Sequence, residues 1–293
     1  MSAKELGQIH SVSYSVNQQP GTNMQDHRFD LPGSLCDKMQ RLVRQGQYFK
    51  IVGIDMAISP NLQAPGNGGT ISGQFRYYKP TRGRCAAYRH AFKSMADQMK
   101  MQGIAMRENK GYDFRVALTN NAGVTPTFKN QATLDGVNGL ALYDTSNPGA
   151  SVFEVYNKSV LPNLTNTPAA DLFAEGFDTL LQSGVKTDFV KNDADIWSGN
   201  EGYADETYDS IPFQIEFNDG VSATATFQWR PDPALYVACM TGNFELFVDQ
   251  CAVTGTATSI DCDITFYVSG WKSIMGNPDK KKRSSKKRRK GRK

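Results

Sequence analysis

Apolar and polar residues alternate along many segments of the chain, which is the pattern of β-strands that bury one face. In residues 8–16, for example, His10, Val12, Tyr14 and Val16 fall on one face and polar residues on the other. Residues 218–220 are Asn-Asp-Gly, a turn signature between two such segments. The pattern predicts about ten strands, at residues 8–16, 48–59, 70–79, 112–119, 151–157, 211–217, 221–229, 234–240, 244–253 and 260–270.

Three other segments have the spacing of amphipathic helices. Residues 34–46 predict a helix of about three turns, which Ser34 caps and Gly46 ends. From Tyr88 onward, apolar residues recur at i, i+4, i+7 and i+11, which predicts a second helix that ends near Gly103. Clustered Leu and Phe residues suggest a third short helix at 172–181.

Many strands, long loops and only a few helices favour an all-β fold, and the 26 Gly, 13 Pro, 16 Phe and 12 Tyr agree with it. We therefore predict an antiparallel β-sandwich, specifically an eight-stranded jelly roll of two Greek keys, rather than a βαβ sheet. The loop at 60–69 joins its strands either as a hairpin or as a crossover. The turn-forming residues 276–278 mark the end of the β-rich region. The chain thus divides into a folded body, residues 1–279, and a tail, residues 280–293.

The formal charge of +4 combines two parts of opposite sign. The tail has eleven Lys and Arg and no acid, whereas the body has 22 basic and 29 acidic residues. A body of net charge −7 therefore has a tail of charge +11. The body alone would not attract polyanions, but the tail is a strong ligand for phosphate chains.

The tail cannot fold alone, because its like charges repel and it has no apolar group to bury. We predict that it is disordered until phosphates neutralise it, and that it packages nucleic acid or directs nuclear import. The alternative is an ordinary solubilising tail. The predicted nucleic-acid-binding residues of the tail are Lys280, Lys281, Lys282, Arg283, Lys286, Lys287, Arg288, Arg289, Lys290, Arg292 and Lys293.

A second basic segment lies within the body, where no acid occurs from Met56 to Ala96. Its basic residues alternate with tyrosines and a phenylalanine, a mixture that suits single-stranded nucleic acid through phosphate pairing and base stacking. In the alternative, the rings face the core and the cations pair with acidic groups of a neighbouring element or subunit. The candidate residues are Arg76, Lys79, Arg82, Arg84, Arg89 and Lys93.

Other chemistry has little support in the sequence. Five cysteines without CxxC spacing and three histidines do not suggest a zinc module, and no nucleophile, phosphate-loop or metalloprotease motif occurs. The acidic residues at 188–209 lack the pattern of an EF-hand and are expected to form a solvated or subunit-contacting loop. Asp261 and Asp263 are expected on the wet face of a strand. We therefore predict no catalytic residues, no metal and no cofactor, and no signal peptide or membrane span.

The β-rich acidic body, the inserted loops and the terminal Lys/Arg arm together resemble the single jelly-roll capsid proteins of small circular Rep-encoding single-stranded DNA viruses. The resemblance covers residues 8–271 and the tail at 280–293, although the arm is often N-terminal in that family. It implies an icosahedral T=1 shell of about sixty copies, with tails that point inward and helices and loops at subunit contacts and the outer surface. It also implies a virion protein that enters the host nucleus through import receptors and binds single-stranded DNA in preference to RNA.

Three other classes of protein remain open from the sequence. The first is a capsid protein of a small RNA virus, and the second is a non-viral nuclear protein that binds nucleic acid. The third is a β-sandwich enzyme or sugar-binding protein with an incidental tail. Large closed particles would indicate a capsid protein, whereas a pocket whose function survives tail removal would indicate an enzyme.

Overall fold

The computed structural model describes residues 8–21, 26–62, 68–105, 112–119, 133–134, 138–144, 151–160, 204–217, 225–232, 235–253 and 257–276. Strands dominate this part of the chain. The strands are β1 (His10–Gln18), β2 (His27–Asp30), β3 (Gln47–Leu62), β4 (Gly69–Tyr77), β5 (Thr133–Leu134), β6 (Asn138–Gly139), β7 (Asp209–Phe217), β8 (Ala225–Trp229), β9 (Val237–Met240), β10 (Asn243–Val253) and β11 (Ala257–Ser273). The helices are α1 (Leu31–Met39), α2 (Arg82–Met101) and α3 (Val152–Val160).

Nine strands form two antiparallel sheets. The first sheet has the order β1-β11-β3-β8, with β9 also paired to β3, and the second has the order β2-β10-β4-β7. Strands β5 and β6 form a separate two-residue ladder. The all-β, antiparallel class predicted from the alternating pattern is confirmed.

Aromatic rings from both sheets pack in the core between them. Phe266 of β11 is fully buried and lies 4.9 Å from Phe244, 5.5 Å from Phe29 and 5.9 Å from Phe75, measured between ring centroids. These three partners belong to β10, β2 and β4 of the second sheet. One side chain of the first sheet thus contacts three strands of the other.

A second apolar core lies beside the sandwich and is built by the long insertion between β4 and β7. Helix α2 contributes Tyr88, whose ring lies 5.6 Å from that of Phe114, and α3 contributes Phe153, 5.0 Å from Tyr78. All four side chains are buried. The insertion is therefore a packed layer that shares its core with the end of β4.

The segment 112–119, predicted as a strand, has only isolated bridge positions at Arg115 and Ala117, and Ala117 pairs with Ala141. Buried side chains replace ladder hydrogen bonds at Val116: its amide donates to Gln45 Oε1 (2.7 Å), and its carbonyl accepts from Gln45 Nε2 (3.1 Å) and Asn243 Nδ2 (2.7 Å). The strand prediction was wrong here, because an alternating pattern does not show that side chains, rather than a neighbouring strand, supply the hydrogen bonds of the backbone.

Residues 151–157, also predicted as a strand, belong to helix α3 and its cap. The Ser151 hydroxyl accepts a hydrogen bond from the Glu154 amide (3.3 Å), which is the geometry of a helix N-cap. Helix α1 also differs from its prediction, since Asp30 rather than Ser34 caps it and Gln40 ends it with φ of 51°. The helix therefore ends six residues before Gly46, its predicted end. The helix predicted at 172–181 lies outside the described residues.

Two connections that the sequence marks as loop or turn cross from one sheet to the other. Strands β3 and β4, which flank residues 63–68, belong to different sheets, so this loop is a crossover and not a hairpin. Strands β7 and β8, which flank the Asn-Asp-Gly sequence, also belong to different sheets. The turn residues themselves, 218–220, lie outside the described part of the chain.

Candidate nucleic-acid interface

The eleven predicted cations of the tail lie outside the described residues, which end at Gly276. Gly276 follows β11. Arg89 of α2 donates two hydrogen bonds from Nη1, one to the Gly276 carbonyl (2.7 Å) and one to the Ile274 carbonyl (3.2 Å). The last described residue before the tail therefore lies against helix α2.

Arg76, on β4, is held between two aromatic rings. Its guanidinium carbon lies 3.3 Å from the centre of the Phe247 ring and 4.4 Å from that of Tyr208. Its Nη1 lies 3.7 Å from Glu245 Oε2, and only 15% of its side chain is exposed. Stacking of this kind holds a guanidinium flat and partly removes it from water. Little of Arg76 is left for a phosphate.

Lys79 and Arg84 form a network of ion pairs with two acids that precede or begin β7. Lys79 Nζ lies 2.7 Å from Asp209 Oδ1, and Arg84 binds both Asp209 (3.2 Å) and Asp205 (3.3 Å). The Arg84 side chain is only 3% exposed, whereas that of Lys79 is 57% exposed. Arg84 is thus an internal link between the start of α2 and the segment leading into β7.

Two of the six candidate cations of the body, Arg82 and Lys93, are exposed on α2. Arg89, also on α2, is half-buried and binds the Gly276 carbonyl. Because α2 begins at Arg82 and has 3.6 residues per turn, these three residues lie along one side of the helix. Together with the exposed Lys79, they form the part of the basic segment that faces solvent.

The aromatic residues of the segment face inward. Tyr77, Tyr78 and Tyr88 are at most 4% exposed, and Phe92 packs against Phe114 with ring centroids 5.7 Å apart. The three tyrosine rings are therefore not available for stacking on nucleobases, and Phe92 is half-buried. For Arg76, Lys79 and Arg84 the geometry favours the alternative in which cations pair with acids of a neighbouring element, here within the same chain.

A polar cavity of about 420 Å³ opens beside Arg76. It contains the buried Glu245, which accepts a hydrogen bond from Thr119 (3.0 Å). Burial raises the pKa of Glu245, and Thr119, Arg76 and Arg28 offset this only in part. One cation and three carboxylates do not favour a phosphate. The cavity is lined by Arg76, Tyr78, Thr119, Tyr143, Asp144, Glu206, Thr207, Tyr208 and Glu245.

Glu206→Gln should make stability less dependent on pH. Burial raises the pKa of Glu206, so its contribution to folding is most favourable at low pH and is lost as the pH rises through the folded-state pKa. A Gln oxygen can still accept the hydrogen bond that Asn157 donates (3.1 Å). We expect the variant to unfold at a higher temperature than the wild type at about pH 7.5, with the difference shrinking towards about pH 4. Thermal unfolding followed by circular dichroism checks this.

Asp55→Asn is a comparison variant for which we expect a change in stability of the opposite sign. The hydrogen bond from Arg230 lowers the pKa of Asp55, so its stabilising contribution is present at neutral pH and is lost as the pH falls through the folded-state pKa. This variant should be less stable than the wild type near pH 7, again with a difference that shrinks on acidification. If both variants changed the unfolding temperature in the same direction, the opposite pKa directions assigned to Glu206 and Asp55 would be contradicted.

The acidic residues noted in the sequence have local partners where they are described. Asp205 and Asp209 bind Arg84, and Asp188, Asp193, Asp195 and Glu201 lie outside the described residues. Asp261 and Asp263 are exposed on β11, where they accept hydrogen bonds from Asn17 and Ser15 of β1. Both lie on the solvent face of the first sheet.

The cysteines are all thiols, and four of the five are buried. Burial raises the pKa of Cys85 and Cys251 to about 11 and that of Cys262 to about 12. Thiols with such pKa values are protonated at neutral pH and are poor nucleophiles. Within the described ranges, no group of three or more His, Cys, Asp or Glu side chains is arranged to hold a metal ion.

Two features of the site were not predicted from the sequence. Lys100 is exposed on α2, two turns beyond Lys93, but the acid-free segment ends before it. Glu245 is 2% exposed between the apolar residues Phe244 and Leu246 of β10, and Arg28 Nε lies 3.9 Å from it. An acid flanked by apolar residues on both sides is the signal that could have indicated a buried ion pair.

Comparisons with protein-family models, with curated proteins and with solved structures give no match. Among the helices that the structure describes, none is long and apolar enough to cross a membrane.

Proposed function

We propose that this chain is the capsid protein of a small single-stranded DNA virus, which assembles into an icosahedral shell and packages the genome through its tail. The observation that carries the proposal is the pairing of the eight main strands. These are β1, β2, β3, β4, β7, β8, β10 and β11, taken as first to eighth.

The first strand pairs with the eighth, the second with the seventh, the third with the sixth and the fourth with the fifth. All four pairs are antiparallel, as in one long hairpin whose two arms are then rolled into two sheets. A jelly roll of two Greek keys has eight strands in two sheets. The nested pairing supports this finer fold assignment, in which the insertion between β4 and β7 occupies the closed end of the hairpin.

The separation of charge supports a role in packaging. A segment with eleven cations can neutralise phosphates along a nucleic-acid backbone, whereas a body of charge −7 would resist general condensation onto nucleic acid. Sixty such tails, pointing into a T=1 shell, would neutralise about 660 phosphates at one charge each. A genome of about a kilobase or more then needs further cations. Nuclear import through the same basic clusters fits assembly in the host nucleus.

Particle formation tests the proposal. The full chain and a variant with all eleven tail cations changed to Gln are compared by negative-stain electron microscopy after nuclease treatment, with the ratio of absorbance at 260 and 280 nm. We expect closed particles of about 20 nm from both, with protected nucleic acid only in the wild type, because the tail supplies the phosphate contacts.

The other outcomes separate the remaining classes of protein. Small oligomers that bind nucleic acid at low salt would favour a non-viral nuclear binding protein. Particles that protect RNA in preference to single-stranded DNA, when both are offered during reassembly, would favour an RNA virus. Particles that protect nucleic acid without the tail cations would contradict the role of the tail.

A further inference from the structure

One side of helix α2 forms a basic stripe, which we define as Arg82, Arg89, Lys93 and Lys100. At 100° per residue, these four positions fall within about 40° of one another around the helix axis. From the first to the last they span about 27 Å at 1.5 Å per residue. Arg82, Lys93 and Lys100 are exposed, and the one acid of the helix, Asp97, lies at the edge of the stripe.

The last described residues before the tail, Ile274 to Gly276, lie at the middle of this stripe. The Arg89 guanidinium binds the carbonyls of Ile274 and Gly276, and the Ile274 amide donates to the Gly46 carbonyl (3.1 Å). The end of β11 is thus fixed to α2 on one side and to the start of β3 on the other. Lys280, the first cation of the tail, follows Gly276 by four residues, which span at most about 14 Å, so one polyanion can contact both the tail and the stripe.

We infer that the stripe is a second nucleic-acid contact surface, within reach of the tail, that binds the phosphate backbone of a single strand. This inference rests on the proposed packaging function. Arg89 holds the chain end at Gly276, while Arg82, Lys93 and Lys100 supply the phosphate contacts. Since Tyr88 is buried and Phe92 packs against Phe114, the stripe binds phosphates without stacking on bases, and its contribution is independent of nucleotide sequence.

Salt dependence of binding tests the inference. The full chain is titrated against a fluorescent single-stranded oligonucleotide of about 30 thymidines, and the slope of log affinity against log salt is measured by anisotropy. Each phosphate contact on a single strand contributes about 0.7 to this slope. Lys93→Gln with Lys100→Gln should therefore reduce its magnitude by about 1.4. Both side chains are exposed, so circular dichroism should show an unchanged fold.

A matched control removes the same charge elsewhere. Lys38→Gln with Arg230→Gln removes two cations from other parts of the sandwich, where Lys38 binds the Ser11 carbonyl and Arg230 binds Asp55. We expect the control to leave the slope within about 0.3 of the wild-type value. Equal reductions of the slope in the two double variants would overturn the proposed role of the stripe, but they would not contradict the packaging function. An absence of salt-dependent binding by the wild type would overturn both.

Discussion

Replacing Arg115 with Met should destabilise the protein by about 3–5 kcal/mol, the range for removing one partner of a buried ion pair. Arg115 binds Asp30, and its Nε lies 2.7 Å from Asp113 Oδ2. The Arg115 side chain is 6% exposed, and those of the two acids are 17% and 13% exposed. Burial opposes the charge of Arg115, but Asp30 and Asp113 outweigh it and raise the pKa of the guanidinium. Without Arg115, both carboxylates would lack this compensation.

Asp30 also has a structural role, which increases the expected loss. Its side chain accepts a hydrogen bond from the Gly33 amide (3.2 Å) and so caps α1. Denaturant unfolding followed by circular dichroism measures the change. Arg230→Met is the control, because its ion pair with Asp55 is 46% and 27% exposed and exposed pairs contribute about 1 kcal/mol or less. Similar losses in the two variants would show that burial of the Arg115 cluster is not what makes it important.

Replacing Phe266 with Ala should also cost about 3–5 kcal/mol, the range for removing a buried phenyl ring. The ring is fully buried and contacts Phe29, Phe75 and Phe244 of the facing sheet, so the variant would leave a cavity at the centre of the sandwich. Denaturant unfolding again gives the difference in stability.

Tyr267→Ala is the matched control for Phe266. It removes a ring of similar size from the next position of β11, which points to the opposite face of the sheet. Tyr267 is only half-buried. We expect a loss less than half as large. If Tyr267→Ala were the more damaging change, the packing between the two sheets would not be centred on Phe266.

The strands were predictable where one face is buried and the other is wet. Strand β7 alternates between exposed and buried residues along its whole length, and β11 buries Ile260, Cys262, Ile264 and Phe266 in succession. Segments 112–119 and 151–157 were wrongly predicted because their apolar residues face the second core, against α2 and the end of β4. An alternating pattern indicates which side chains are buried, but it does not indicate which groups form hydrogen bonds with the backbone.

The candidate site was predictable as a basic segment but not as a surface. Arg84 and Arg76 were grouped with Arg82 and Lys93 because they are close in sequence. Their acidic partners, Asp205, Asp209 and Glu245, lie far along the chain and become neighbours only through the sheets and the insertion. Lys100 was missed for the opposite reason, since Asp97 interrupts the charge pattern in sequence while the helix returns Lys100 to the same side.

The tail cations remain a prediction from composition alone. What the structure adds is the position of Gly276, which Arg89 holds against α2 four residues before Lys280, the first cation of the tail. The implication of the resemblance, that helices lie at subunit contacts and the outer surface, stays a prediction.

The nested pairing of strands also constrains when the protein can fold. His10 of β1 pairs with Val268 of β11, so the first strand of the body has no partner in its sheet until nearly the whole chain has been synthesised. At about 5–20 residues per second, that interval is roughly 13 to 52 s. During this time β1 and β2 would present open edges to other nascent chains on the same messenger RNA. Slow, non-local closure of this kind makes yield in a cell depend on chaperones and on translation rate.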